Sequence, residues 1–267
     1  MKIGLIGYGK MGKMTEIAAL ERGHRIPLVI DPLCSDEQPK SGAVLSRCFP
    51  PNAEAAGNPD LFIEFTQPET AADNIITAAR LGIPVVCGST GWLKRLEEVS
   101  AAVEKAGSAL LWSSNFSLGV NLFYRIAAYA AALADSFDQY DIGGLEIHHN
   151  KKADSPSGTA RALIEKVLVQ MKRKTKVQWE VPKEGKPDND TIYFASLRQG
   201  SVPGTHSLFF DSPADTIEIT HTARNREGLA SGAILAAEWL IGNKDGKPRH
   251  GIYTMDDVLR ETIHERV

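Results

Sequence analysis

The chain has 267 residues, enough for one large domain or two modest ones with a real core. Hydrophobic residues make up 43% and charged residues 24%, and 30 basic against 33 acidic side chains leave a formal charge of −3. That near-neutral balance argues against a nucleic-acid partner, which favours a basic surface. Cys34, Cys48 and Cys87 are odd in number, scattered and without a C-x-x-C spacing, so a disulfide framework is not expected and a reducing, cytoplasmic setting is. No apolar run suits a signal peptide or a membrane span, so no membrane partner is expected.

In chain order, "KIGLIGYG" reads as a buried strand ending in glycines, "KMGKMTEIAALERG" as a helix stopped by Gly23, and "HRIPLVID" as a second strand ending in an acid. Gly7, Gly9 and Gly12 form G-x-G-x-x-G in that context, and Asp31 follows Gly12 by 19 residues, where a ribose-binding carboxylate belongs. Gly7 permits the tight turn, Gly9 lets backbone approach a pyrophosphate, and Gly12 lets the helix pack close. Free N–H groups at the helix start, around Lys10 and Met11, then hold phosphate. A carboxylate at Asp31 favours NADH over NADPH. Pro32 and Leu33 supply no arginine for a 2′-phosphate, although Lys10 and Lys13 could reach one.

Strands at "DLFIEFT", "IPVVCGSTGW" and "SALLWSSNFS" then alternate with helices at "TAADNIITAARLG" and "LKRLEEVSAAVEKAG", the pattern of a doubly wound α/β sheet. Ligands bind such sheets at the carboxyl ends of strands. That makes Thr66 to Pro68, Gly88 to Gly91 (with Ser89 and Thr90), and Asn115 with Phe116 candidates. From about residue 117 the pattern changes. "LGVNLFYRIAAYAAALA" and "SGTARALIEKVLVQM" are helices, and "YDIGGLEIHH", "KVQWEV", "TIYFASLR", "THSLFFDS" and "DTIEITHTA" are strand-like, an α+β arrangement with a mostly open sheet. "GLASGAILAAEWLIG" returns to helix and "IYTMDDVLRETI" is a tail. "PKEGKPDND" (182–190) and "NKDGKPRHG" (243–251) are polar loops, the first being the expected mobile one.

"EIHHNKKADSPSGTA" (146–160) gathers chemistry. Neighbouring side chains on a strand point to opposite faces, so His148 and His149 do not share one ligand while the strand stays regular. Ser157 suits an N-cap and Gly158 opens the next helix, whose free N–H groups offer a carboxylate site that a nearby lysine would reinforce. A titratable acid, a cation and an anion-binding helix mouth together suit nicotinamide-dependent reduction of a small carboxylate-bearing molecule, with histidine as proton donor. The residues alone also leave open another nicotinamide dehydrogenase, such as one acting on amino acids, or an NADH-sensing binding protein. A zinc site from His148, His149, His206 and His221 would need the fold to converge them. With no H-x-x-x-H spacing and no cysteine pair, no metal is expected.

The same stretch closely resembles the signature of the dihydrodipicolinate reductase family. "GYGKMG", "EFTQPE", "CGSTGW", "NFSLGVN" and "EITHTARNREGLASGA" extend the resemblance over nearly the whole chain. The resemblance implies a Rossmann domain at 1–116 and 226–267 and a substrate-binding, tetramerising domain at 117–225. It implies reduction of a cyclic dicarboxylate by NADH or NADPH in a homotetramer. By position it makes His148 the general acid and Lys152 the cation on the substrate, with His149 a substrate contact. Ser157, Gly158 and Thr159 would hold one carboxylate, and Gly88, Thr90, Asn115, Phe116 and Arg226 would line the cofactor side. Lys151 has no such role. Two departures, a glycine turn shorter than the G-x-x-G-x-x-G of many members and Pro32 where many have arginine, bear on cofactor choice.

Overall fold

The computed structural model describes residues 1–33, 38–51, 57–180, 185–242 and 249–263. Cys34 and parts of the two expected polar loops lie outside the described residues. The chain divides into two compact units: Met1–Ser117 with the segment from Glu227 onward, and Leu118–Arg226.

The first unit begins with β1 (Lys2–Ile6), α1 (Lys10–Glu21), β2 (Arg25–Ile30), β3 (Val44–Ser46), β4 (Leu61–Glu64), α2 (Pro68–Arg80), β5 (Val85–Cys87), α3 (Leu96–Lys105) and β6 (Ala109–Trp112). The second contains α4 (Leu118–Ala134), β7 (Asp141–His148), α5 (Gly158–Leu168), β8 (Lys176–Gln178), β9 (Thr191–Arg198), β10 (Thr205–Asp211) and β11 (Thr216–Thr222). The chain then rejoins the first unit with α6 (Glu227–Ile241), β12 (Gly251–Thr254) and α7 (Met255–Thr262).

The first unit's sheet is parallel throughout, in the order β12-β6-β5-β4-β1-β2-β3. Its central strands are continuous apolar runs because both faces are covered. Ile3, Leu5, Val29, Ile63 and Leu111 pack under Ala18 and Ala19 of α1 and Ala233, Ile234 and Ala237 of α6. Ile6, Leu28, Phe62, Val85 and Leu110 pack on the other side under Ile75 and Ala78 of α2 and Val99 and Val103 of α3. Each such fully buried Leu, Ile, Val or Phe contributes about 1.5–3 kcal/mol. The chain builds outward from β1 through β2 to β3, and from β4 the other way to β12. The carboxyl ends of β1 and β4 therefore flank the point where strand order reverses, the usual ligand crevice of such sheets.

The second unit carries a mixed five-stranded sheet, β11-β10-β7-β9-β8, with β10 antiparallel to both of its neighbours and β7, β9 and β8 mutually parallel. Phe123 and Ala127 of α4 and Leu163 and Ile164 of α5 cover one face over Ile142, Phe194, Leu208 and Phe210. Strand alternation puts Gly144, Glu146 and His148 on the same covered face as Ile142. A Cβ at Gly144 would stand 2.4 Å from the Phe194 ring, so only glycine lets that ring pack there.

Three local expectations differ. β3 and β12 are edge strands of three and four residues, too short for periodicity to register in a polar segment and a tail. "KVQWEV" pairs only over Lys176–Gln178. Strand β7 ends at His148, leaving His149 outside it. Among the described residues no helix is long and apolar enough to cross a membrane.

Candidate active site

The glycine turn is built as its spacing requires. Gly7 sits at φ +91°, and a Cβ there would lie 2.2 Å from the carbonyl oxygen of Phe65. A Cβ on Gly12 would lie 2.2 Å from the carbonyl oxygen of Gly7, so α1 packs directly on the turn. Gly9 is the N-cap of α1, with no side-chain cap and no acidic residue in the first turn. The first N–H groups of the helix are thus left for an anion. The Asp31 carboxylate accepts from the backbone N–H of Tyr8 at 2.7 Å and of Leu33 at 2.8 Å, which fixes it beside the turn with lone pairs to spare.

These groups open onto a cleft of about 590 Å³ lined by Gly7, Gly9, Lys13, Asp31, Arg47 and Thr66 among others. An elongated dinucleotide fits this cradle: glycines where a Cβ would intrude, an uncapped helix start and an anchored acid at the second strand end. Thr66 donates its backbone N–H to Ser89 Oγ at 2.8 Å, which ties the β4 and β5 loops together. Beneath them Glu64 is fully buried, bonded to the Thr66 hydroxyl and facing Cys87 Sγ at 3.1 Å. Burial first, and then the Glu64 charge, push the Cys87 thiol well up, so it stays protonated.

In the second unit the register of the sheet assembles a buried polar cluster. Glu146 stands opposite His206 on β10 and Ser196 on β9, and His148 stands opposite Arg198. Glu146 is 0% exposed, His148 7% and His206 3%. Oε1 of Glu146 accepts from Ser196 Oγ at 2.8 Å, the Ser157 N–H at 3.0 Å and Arg198 Nη2 at 3.1 Å. Among the described residues Oε2 makes no hydrogen bond. It lies 3.4 Å from His148 Nδ1 and 3.5 Å from His206 Nε2. Burial opposes charge on Glu146, but His206, Ser157 and Ser196 outweigh it and hold the carboxyl far below the usual range. For His148 burial dominates and pushes the imidazole down to about 4, while Glu146 works the other way.

Ser157 caps α5, its Oγ accepting the Ala160 N–H at 3.1 Å and lying 3.2 Å from His206 Nε2. Gly204 borders His148, where a Cβ would come within 3.0 Å of Nε2. Lys152 Nζ pairs with Asp154 Oδ1 at 2.7 Å. That ammonium, aided by the Gly158 N–H, holds the Asp154 carboxyl below its ordinary range. The helix mouth expected to be bare thus carries an internal carboxylate at its edge.

Two sequence models of dihydrodipicolinate reductase match, the N-terminal one over residues 1–116 and the C-terminal one over 119–259. The chain belongs to the dihydrodipicolinate reductase family. The 4-hydroxy-tetrahydrodipicolinate reductase of Christiangramia forsetii is 37% identical to this family member over 98% of each chain. That of Lawsonia intracellularis is 32% identical over 94% of this chain and 96% of its own. A dipicolinate-bound dihydrodipicolinate reductase from Paenisporosarcina sp. TG-14 shares the fold at a TM-score of 0.77, covering 97% of this chain and 99% of that one at 20% identity.

In this reductase-family chain, Gly7, Gly9, Asp31 and Thr66 share the cleft. Lys10 is exposed and Met11 half-buried in the first turn of α1. Gly88, Ser89 and Thr90 follow β5, where a Cβ on Gly88 would strike the Phe65 ring at 2.0 Å. Asn115 Oδ1 accepts the Ser117 N–H at 2.9 Å, and Phe116 is buried. Arg226 is exposed, the last residue of the second unit. His149 is half-buried, Lys151 exposed, and Thr159 follows Gly158 in the first turn of α5.

Sequence reasoning missed Arg47, which enters the cleft from just beyond β3, and Glu146 beside His148, with the Ser196 and Arg198 that bond it. Only Glu146 left a local signal, two residues before His148 and so on the same strand face. Of the four histidines weighed for zinc, His148 and His206 come together, with Glu146, all three offering ligand atoms within 4.8 Å. The Arg198 guanidinium on the same carboxylate opposes a dication there.

Proposed function

We propose that the chain reduces the dehydrated form of 4-hydroxy-tetrahydrodipicolinate to tetrahydrodipicolinate with NAD(P)H, a step of diaminopimelate and lysine biosynthesis. The observation that carries this reading is the buried His148 cluster beside a capped helix mouth, in a chain whose two halves both match the family. When bound, the nicotinamide supplies a hydride. The chain's own residues bind, orient and protonate. Backbone N–H groups of the Gly7–Gly12 turn, including those of Lys10 and Met11, hold the pyrophosphate, and Asp31 takes the ribose. Thr66, Gly88, Ser89, Thr90, Asn115, Phe116 and Arg226 serve the nicotinamide side. Ser157, Gly158 and Thr159 take one substrate carboxylate at the α5 mouth, His149 contacts the substrate, and His148 gives a proton to the carbon next to the one that receives hydride. A coupled assay tests the reading: synthase product is supplied and NADH and NADPH consumption are followed separately. No consumption of either would overturn it.

Lys152 exchanges Asp154 for a substrate carboxylate. Lys152→Ala should raise KM and lower kcat, reducing kcat/KM about 10–100-fold, the worth of a hydrogen bond to a charged group. Near-normal steady-state kinetics would remove Lys152 from the site.

NADH is the preferred cofactor, because the Asp31 carboxylate repels a 2′-phosphate. NADPH is admitted through Lys13 and Arg47, which line the same cleft as Asp31. Arg47→Ala should weaken NADPH binding about 10-fold and leave NADH within 2-fold, as read by titrating the bound cofactor's fluorescence. Equal weakening of both would reject that role. By family likeness the protein works as a cytoplasmic homotetramer assembled through the second unit's sheet. A sedimentation mass other than four chains would overturn the assembly.

A further inference from the structure

We propose that Glu146 is a positioning residue of the reaction: through Oε2 it holds the Nδ1 side of His148 and sustains the imidazolium that gives up the proton, while His206 competes for the same oxygen. The inference rests on His148 being the proton donor.

The cluster's geometry divides Glu146 into two halves. Oε1 is saturated by three donors from two separate segments, the Ser157 N–H at the start of α5 and the Ser196 hydroxyl and Arg198 guanidinium on β9. Those bonds clamp the carboxylate and set where Oε2 points. Oε2 has no formed hydrogen bond among the described residues, yet two imidazoles stand at 3.4 Å and 3.5 Å from it. Their rings meet edge to face, with centroids 5.1 Å apart. A buried carboxylate oxygen left unbonded is costly unless something comes to it. Here the candidate is an N–H of whichever histidine carries the proton.

The consequences follow from electrostatics. A carboxylate beside an imidazole favours its charged form, and other cations oppose it. The groups facing His148 are Glu146 on its own strand, His206 on β10, Arg198 on β9 and Lys152 in the following loop. Among them Glu146 alone favours the imidazolium. In the step itself one proton passes from His148 to the substrate carbon. His148 ends neutral, with its remaining proton on Nδ1 toward Glu146, and Glu146 stays ionised throughout. The logic matches an acid that orients a catalytic histidine and stabilises its charged form.

Two substitutions then shift the pH profile in opposite directions. Glu146→Gln keeps an acceptor for the Ser157, Ser196 and Arg198 donors but removes the charge. Its kcat should fall about 10–100-fold at neutral pH with little change in KM. The limb on which kcat declines with rising pH should move down by about 1 pH unit or more. His206→Gln frees Oε2 for His148 and removes a competing charge, so its limb should move up. A merely structural role would lower Tm in both variants and move neither limb. Unmoved limbs in folded variants would overturn the proposal, as would shifts in the same direction. His148→Gln separates the two levels. If it retains turnover, the donor assignment fails; if it loses turnover while the Glu146→Gln limb stays in place, only the positioning role fails. Should Glu146→Gln not fold, the upward shift in His206→Gln decides alone.

Discussion

His148→Gln is expected to fold normally and to lose kcat by about 10²–10⁴-fold, with KM changed only modestly. Gln fills most of the imidazole's volume, and its amide can still face Glu146 Oε2 on one side and the space beside Gly204 on the other. What it lacks is a proton it can release at useful pH. Proton donation matters in the transition state and hardly at all in the ground-state complex, so the loss belongs in kcat. The environment fits such a donor. Burial pushes free His148 down to about 4, with Glu146 as the counterweight. A bound substrate brings two more carboxylates and so favours the imidazolium only when there is something to protonate. Steady-state kinetics on the coupled assay, with circular dichroism to confirm the fold, check the expectation. A kcat within threefold of the parent would remove His148 from the chemistry.

Gly12→Ala is expected to be nearly as damaging, through cofactor binding. The added Cβ would stand 2.2 Å from the carbonyl oxygen of Gly7 and 3.0 Å from its carbonyl carbon. These are backbone atoms and cannot swing aside, so either α1 or the turn must move. Forcing an extra carbon into a packed contact costs about 1–3 kcal/mol or more, and a displaced turn also misplaces the N–H groups proposed to hold phosphate. NADH affinity should fall at least about 30-fold, which corresponds to about 2 kcal/mol, and Tm by several degrees. Gly23→Ala is the control. Gly23 lies at φ +76° with open space around it, so alanine there adds left-handed strain without touching the turn. It should lower Tm while leaving the NADH dissociation constant unchanged. Equal loss of NADH affinity in both variants would mean that general destabilisation, and not the Gly7–Gly12 contact, sets binding.

Much of the first unit was legible because its signals are local. Glycines at fixed offsets, an acid at the second strand end and alternating apolar strands and helices fall within windows of a few tens of residues. Helices α4, α5 and α6 likewise announced themselves by period. The edge strands β3 and β12 did not, since three or four residues in a polar segment or a tail carry no periodicity, and their pairing is decided by the exposed edges of β2 and β6. Arg47 was invisible for the same reason: it reaches the cleft only because β3 pairs with Leu28–Ile30 of β2 and so ends level with Asp31.

The stretch 146–160 shows the division most sharply. By itself the sequence determined which residue types are present: two histidines at a strand end, a lysine in a loop, and a serine and glycine at a helix start. It also determined, through strand alternation, that Glu146 and His148 share a face. Only the tertiary structure decided what that face meets. Parallel pairing with β9 sets Ser196 and Arg198 beside Glu146 and His148, and antiparallel pairing with β10 sets His206 on the other flank. Strand register depends on backbone ladders and on apolar packing under α4 and α5, between segments some 50 residues apart. A shift of one residue would turn these side chains to the opposite face, and no local pattern in 146–160 encodes that choice.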